Sequence, residues 1–325
     1  MKFSFFPLIA LFAFSLNGCS KKNDEAKVLI PPPTPPVRPV ASISYDPTQL
    51  EYSTLFENIP QARAIQRQDY NELSGIAASQ KNPGILYMHS DSRNAPIVLS
   101  NALGQDLGKI ILDGQSSLDP EDIAVGPGPE AGKSYIYFGD IGDNNSTRGS
   151  ITVYRFEEPL IDHPDAATEI HISQLAKIVL KYPTSAYNAE TLLIDPLTKD
   201  IFIASKEVNR STIYRAAYPQ SETTTNTMEA VLEMRFFDLF TSGDISMDGK
   251  EIILRDKGQL WYWTRSSGQS LVDALLVAPK KAAYNGNEHQ GEGVAFAADG
   301  SGYFTNTETR DYPGAVSNLS FYKRK

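Results

Sequence analysis

Five short segments of this sequence repeat one arrangement, a small, hydroxylated or acidic residue followed by an apolar run and a turn. They are Leu73–Ala77, Pro120–Ala124, Ala189–Leu193, Phe240–Asp244 and Gly291–Ala295. The residues with chemistry to offer are Ser74, Glu121, Glu190, Thr241 (or Ser242) and Glu292, at steps of 47, 69, 51 and 51. The fourth is placed by aligning the Asp248-Gly249 turn with the Asp299-Gly300 turn of the fifth segment. If the segments are arranged around a ring, three carboxylates and two hydroxyls point at one axis. Carboxylates so placed repel one another and need protons or a cation to coexist. A hard cation with flexible all-oxygen coordination, calcium above all, answers that need. The competing reading has the glutamates fanning out to solvent or accepting backbone N–H groups at strand ends.

A second set follows each segment. The loops read His89-Ser90-Asp91-Ser92, Gly139-Asp140-Ile141-Gly142-Asp143, Ser205-Lys206-Glu207, Arg255-Asp256 and Asn306-Thr307-Glu308. Asp91 and Asp140 are candidate proton acceptors, and Lys206 and Arg255 candidate receivers of a phosphate or carboxylate. Asp140 and Asp143 flank Gly142, which suits an inward-aimed turn and ordinary turn chemistry equally. The alternating Asp-x-Asp spacing of an EF-hand is missing, as are a Walker-type phosphate loop and a Gly-x-Ser-x-Gly elbow. Histidines 89, 163, 171 and 289 show no zinc-ligand spacing and are expected at the surface or rim. Tyr187, Tyr284 and Tyr312 are the aromatics a broad binding rim would expose.

The elements that must hold these residues are strands. Helical periodicity is nearly absent, and short β-rich runs bounded by Gly, Asp, Asn and Pro dominate. Each segment is followed by a second strand (Ile85–Met88, Tyr135–Phe138, Ile201–Ala204, Ile252–Leu254, Tyr303–Thr305) and a third (Ile97–Leu99, Ile151–Tyr154, Thr212–Tyr214, Leu260–Trp263, Leu319–Tyr322). Fourth strands fit Lys109–Leu112, Lys177–Leu180, Met228–Leu232 and Ala274–Val277, and the fifth unit takes its missing edge from Ala62–Ile65. Four-stranded units of this length, closed by an N-terminal strand, predict an all-β, five-bladed β-propeller. A six-bladed ring is the alternative, with a blade hidden in the 69-residue step or in residues 40–60.

The order Ser, Glu, Glu, Ser/Thr, Glu at five inner strands, with Glu72-Leu73-Ser74, Ala189-Glu190 and Glu292-Gly293, resembles the calcium-activated nucleotidase (apyrase) family. That resemblance implies a five-bladed propeller with one calcium ion on its axis. Leu73-Ser74-Gly75, Asp119-Pro120-Glu121 and Gly291-Glu292-Gly293 are similar also to phytase-like and related exported propellers. The likeness is confined to these strings, and fold does not dictate function. Three readings follow: a binding module gripping a small molecule or protein at the channel mouth, a calcium-dependent hydrolase of phosphate esters or anhydrides, and a metal-free structural scaffold.

The N-terminus places the chain in an exported compartment. Lys2 and the apolar run Phe3–Leu16 read as a secretory signal, too short to span as a mature helix. Leu16-Asn17-Gly18-Cys19 resembles the bacterial lipobox, and Cys19 is the one cysteine in the chain, with no disulfide partner within it. The expected organisation is a signal peptide over 1–18, a lipidated Cys19 with a proline-rich linker over 19–39, and the propeller over 40–325. Acyl chains such as palmitate contribute about 0.8 kcal/mol per buried methylene. Ser20 after the cysteine is compatible with outer-membrane sorting, with the domain on the periplasmic or the outer face. Loss of Lys2 shifts the net charge from −9 to −10, and an acidic surface excludes nucleic acid as a partner. Replacing Cys19 by Ala is expected to abolish incorporation of a labelled fatty acid and to move the protein from the membrane to the soluble fraction.

Overall fold

Several strands in this chain are buried on both faces rather than alternating. Ile85–Ser90, Ala189–Ile194 and Gly302–Glu308 are buried at every position. A sheet covered on both sides reads as a continuous apolar run, and face-to-face blades produce that cover. In the computed structural model, residue 1 and residues 39–325 are described, apart from 68–71, 166–167, 236, 238 and 287. Contacts divide the chain into Met1–Pro39 and Val40–Lys325. The expected signal peptide, Cys19 and the proline-rich run to residue 38 lie outside the described residues.

Val40–Lys325 forms five sheets, each a blade whose core strands pair antiparallel. From axis to rim the first holds Leu73–Ala78, Ile85–Ser90, Ile97–Asn101 and Gly108–Leu112, and the second Pro120–Pro127, Ser134–Asp140, Ile151–Glu157 and Ala176–Lys181. The third holds Ala189–Ile194, Ile201–Ser205, Arg210–Ala216 and Glu229–Arg235, and the fourth Ser242–Ile245, Glu251–Arg255, Leu260–Thr264 and Lys280–Lys281. The fifth holds Gln290–Phe296, Gly302–Glu308 and Asn318–Lys323, closed by Gln61–Ala64. Five apolar clusters fill the five gaps between neighbouring blades.

The ring therefore has five blades and not six. The long 69-residue step hides no blade: Glu169–Ile172 leaves the second blade and adds a parallel strand to the outer edge of the first. Asn226–Thr227 does the same to the second blade, and Ala41–Ser42 to the third. These outer strands are short and largely exposed, so no periodicity betrays them.

Residues 41–64 form a girdle around three blades. After Ala41–Ser42 pairs on the third blade, Tyr45 and Leu50 pack against the apolar cluster between the third and fourth. Ser53 N–H donates to the Lys281 carbonyl and Lys281 N–H to that of Glu51, which covers the edge of the fourth blade. Phe56 then enters the cluster between the fourth and fifth, edge-on to Tyr262 at 5.5 Å and Tyr303 at 4.8 Å. Covering sheet edges this way blocks pairing with another chain.

One expected strand is a helix. The pattern of Ala274–Val277 predicts the fourth blade's outer strand, but Leu271–Leu275 is helical, with the Ser270 hydroxyl accepting from Asp273 N–H as its cap. Buried Leu271, Ala274 and Leu275 have i, i+3, i+4 spacing. A run that short satisfies both periods, and the cap decides it.

Truncating Phe56 to Ala is expected to cost about 3–5 kcal/mol, the range for a fully buried aromatic, measured as the free energy of urea unfolding of Val40–Lys325. A loss under about 1 kcal/mol would show that the girdle does not hold the ring shut.

Candidate functional site

Each inner strand begins at one mouth of the channel, and in four of the five the pairing with the second strand breaks there. Register shifts occur between Leu73 and Ile76, Pro120 and Asp122, Ala189 and Thr191, and Gly291 and Val294. The residues left out of the ladders are Ser74-Gly75, Glu121, Glu190 and Glu292-Gly293. A β-bulge leaves a residue unpaired and re-aims its side chain, which turns these four polar side chains into the channel. The fourth blade pairs in regular register from Ser242↔Arg255 onward.

The result is a cavity of about 280 Å³ whose lining includes Ser74, Glu121, Glu190 and Glu292. Glu72, Asp91, Glu308 and Asp311 add further carboxylates, and Lys206, Lys257 and Arg310 are its cations. Seven acids thus face three bases. Arg310 pairs with Glu72, Lys206 with Glu190, and Gln290 donates to Glu308. Glu121 and Glu292 are more than nine-tenths buried, and among the described residues their carboxylates accept no hydrogen bond and join no ion pair.

The electrostatics follow from that crowding. Burial, then Glu190 and Asp119, pushes Glu121 well above the usual carboxylate range. Burial, then Glu190, lifts Glu292 to about 8 against the pull of Lys206. Burial raises Glu190 although Lys206 is its partner. Burial by itself would depress Lys206, but Glu190, Glu292 and Glu121 outweigh it and raise the ammonium. Acid and base of the same ion pair shift upward together, the acid because burial disfavours its charge and the base because three carboxylates surround it. Asp91, half-buried, is carried to about 7 by burial and then by Glu72 and Glu308.

The other expected site residues are elsewhere. Thr241 is buried beneath the mouth and its hydroxyl donates to the Gly291 carbonyl at 3.0 Å. The alternative at that position, Ser242, donates to Asp122 at 3.1 Å. Asp140 is bound by Arg148 at 3.0 Å and accepts from Asp119 N–H at 3.0 Å, while Asp143 accepts from the N–H groups of Thr147 and Arg148. That loop is turn chemistry. Arg255 is fully buried against Glu288 and donates to the carbonyls of Gly293 at 2.8 Å and Asn306 at 3.0 Å, so it braces the bulge carrying Glu292.

The expected rim aromatics and histidines divide similarly. Tyr187 packs with Tyr182 and Tyr214, Tyr284 lies over Arg255, and Tyr312 stacks on His289 at 4.5 Å. His89 is not at the surface; it is fully buried, edge-on to Phe138, and desolvation lowers it to about 4, which keeps it neutral. Sequence reasoning missed Lys257, Gln290, Arg310 and Asp311 as lining residues. Lys257, Arg310 and Asp311 sit on loops outside the repeated strings, and Gln290 opens an inner strand just ahead of its string, so no pattern marks them.

Beneath the cavity the polar groups of the inner strands are consumed by bonds between blades. Ser74 donates to the Glu121 carbonyl, Asn306 to the Ser74 carbonyl at 2.9 Å, and Leu192 and Phe296 N–H groups to Asp122 at 2.9 Å and Asp244 at 2.8 Å. Gly75 permits the approach: a Cβ there would lie 2.7 Å from the Ile123 nitrogen.

The lining holds no histidine or cysteine, so any cation here meets oxygen donors. Among the described residues no three His, Cys, Asp or Glu side chains are grouped tightly enough to hold a metal as they stand. Like charges spread apart, and a cation must draw them inward or be reached through water, as flexible calcium coordination allows.

No family model matches the chain, and no curated protein does. It is similar to solved structures titled "Crystal Structure of Mitotic Checkpoint Complex" (12% identity, TM-score 0.38, covering 97% of this chain and 98% of that one) and "Structure of U3-55K" (8%, 0.40, 81% and 98%). It is also similar to "Structure of Dos1 propeller" (11%, 0.34, 77% and 68%). The propeller assignment rests on the five sheets themselves.

The raised carboxylates set a pH dependence. The folded protein holds protons on Glu292 and Asp91 that the unfolded chain has lost, so stability falls as pH rises from about 4 through about 7 and 8. In chelator, the melting temperature of Val40–Lys325 is expected to be higher at pH 5 than at pH 8.5. An increase over that interval would contradict the buried-carboxylate account.

Proposed function

We propose that this protein is a lipid-anchored cell-envelope propeller that binds calcium at the channel mouth and uses the ion-organised rim to grip a ligand. The observation that supports it best is the pair Glu121 and Glu292, two carboxylates more than nine-tenths buried in one cavity with no partner among the described residues. Burying an unpaired charge is costly unless it is neutralised. Glu121, Glu190 and Glu292 supply the charge, and the Ser74 hydroxyl oxygen keeps lone pairs free while its proton goes to the Glu121 carbonyl. All-oxygen donors favour calcium or magnesium over zinc or copper, and a wide cavity of spread carboxylates suits calcium's longer, more numerous contacts. The lipid anchor on Cys19 and the outer-membrane location rest on the N-terminal sequence.

A hydrolytic reading of the same cavity has one observation behind it. Asp91, at about 7, is suited to accept a proton near neutrality, and Lys257 and Arg310 line the same space and would hold a phosphate ester or anhydride. Asp140 and Arg255 take no part, since both are spent on the scaffold.

Calorimetric titration of Val40–Lys325 with calcium, beside thermal melts with and without chelator, tests the assignment. One site is expected, stabilising the fold by about 2.7 kcal/mol at a hundredfold excess over Kd. Glu121→Gln with Glu292→Gln should abolish binding yet melt higher than the parent in chelator, because the repulsion is gone. No heat and no melting shift in the parent would sink the calcium site and the nucleotidase likeness together, leaving a metal-free scaffold.

A further inference from the structure

The axial well already contains a cation, and it belongs to the protein. Lys206 follows the second strand of the third blade, its N–H fixed on the Asn188 carbonyl at 2.9 Å. Its side chain is 14% exposed and its ammonium pairs with Glu190. It also acts electrostatically on Glu121 and Glu292, so all three axial carboxylates share it. Arg310 is engaged by Glu72 to one side. Lys257 acts on Glu190, Glu292 and Glu308 but pairs with none of them among the described residues.

We infer that Lys206 is the residue that sets the selectivity of this site for divalent over monovalent cations, by holding the well as a tethered ammonium that only a cation of higher charge displaces. The inference rests on the calcium reading above. A compact ammonium on a four-carbon stem is a point charge with three rotatable donors, and its attachment gives it a local concentration in the millimolar range or above. A sodium or potassium ion entering the well exchanges one unit of charge for one unit and must still expel the tethered group. A divalent ion brings twice the charge to three carboxylates crowded at low dielectric, where Coulomb energies are several times those in water. Asp119, half-buried and already within the field of the ammonium, offers the displaced group another carboxylate.

Lys206→Met, which keeps length and loses charge, tests this in Val40–Lys325. Calcium affinity by calorimetry is expected to rise at least tenfold, and sodium chloride, which leaves the parent's melting temperature nearly unchanged, should raise that of the variant. Acetylation of the parent by an amine-reactive ester, read by mass spectrometry on the peptide carrying Lys206, should be slow in chelator and faster in saturating calcium. That labelling decides the matter even if the variant fails to fold. Equal calcium affinity in the two proteins, weaker binding by the variant, or labelling unmoved by calcium would each overturn the competition while leaving the calcium site standing. Absence of calcium binding by both proteins would overturn the site and the inference with it.

Discussion

Three glutamates confined to one mouth of a narrow channel repel one another, and most of the polar architecture around them answers that fact. A carboxylate more than nine-tenths removed from water must find a partner, a proton or an ion. Glu190 has Lys206. Glu121 and Glu292 have nothing of their own among the described residues, and both are pushed toward the protonated state. The well is therefore strained in charge while the apolar clusters between the blades are satisfied.

The bulges explain why these residues and no others meet there. A regular inner strand spends its backbone on the neighbouring strand and its polar side chains on the next blade, as Asp122, Asp244 and Thr241 do. Where the ladder skips a residue, the side chain is released from that scheme and turned to the axis. The fourth blade keeps its register and contributes no such residue. Lys257, from the same blade's loop after Arg255, lines the cavity instead.

Closure rests on the chain's two ends. The strand Gln61–Ala64 completes the fifth blade beside Asn318–Lys323, and the girdle before it covers edges on the third and fourth. Phe56 sits where girdle, fourth blade and fifth blade converge, with the Arg324 guanidinium 4.9 Å over its ring. The bulge carrying Glu292 is held from within, by Arg255 on the Gly293 and Asn306 carbonyls and by Asn306 accepting from Gly293 N–H.

Much of this was legible in the sequence. Blade count, strand order, the closing strand and the axial positions 74, 121, 190 and 292 follow from periodicity and self-similarity, since each blade must solve the same burial problem with the same pattern. What the sequence could not decide is where charge ends up. Arg255 and Asp140 look like rim chemistry, yet neighbouring backbone and Arg148 absorb them. His89, expected at the surface or rim, is buried between the first two blades. Ala274–Val277 could be strand or helix until a cap chose, and Thr241 matched the ring by position while lacking the bulge that would aim it. Local pattern determines which strands form; only the tertiary arrangement decides which polar groups find partners, because each partner comes from another blade, tens of residues away along the chain.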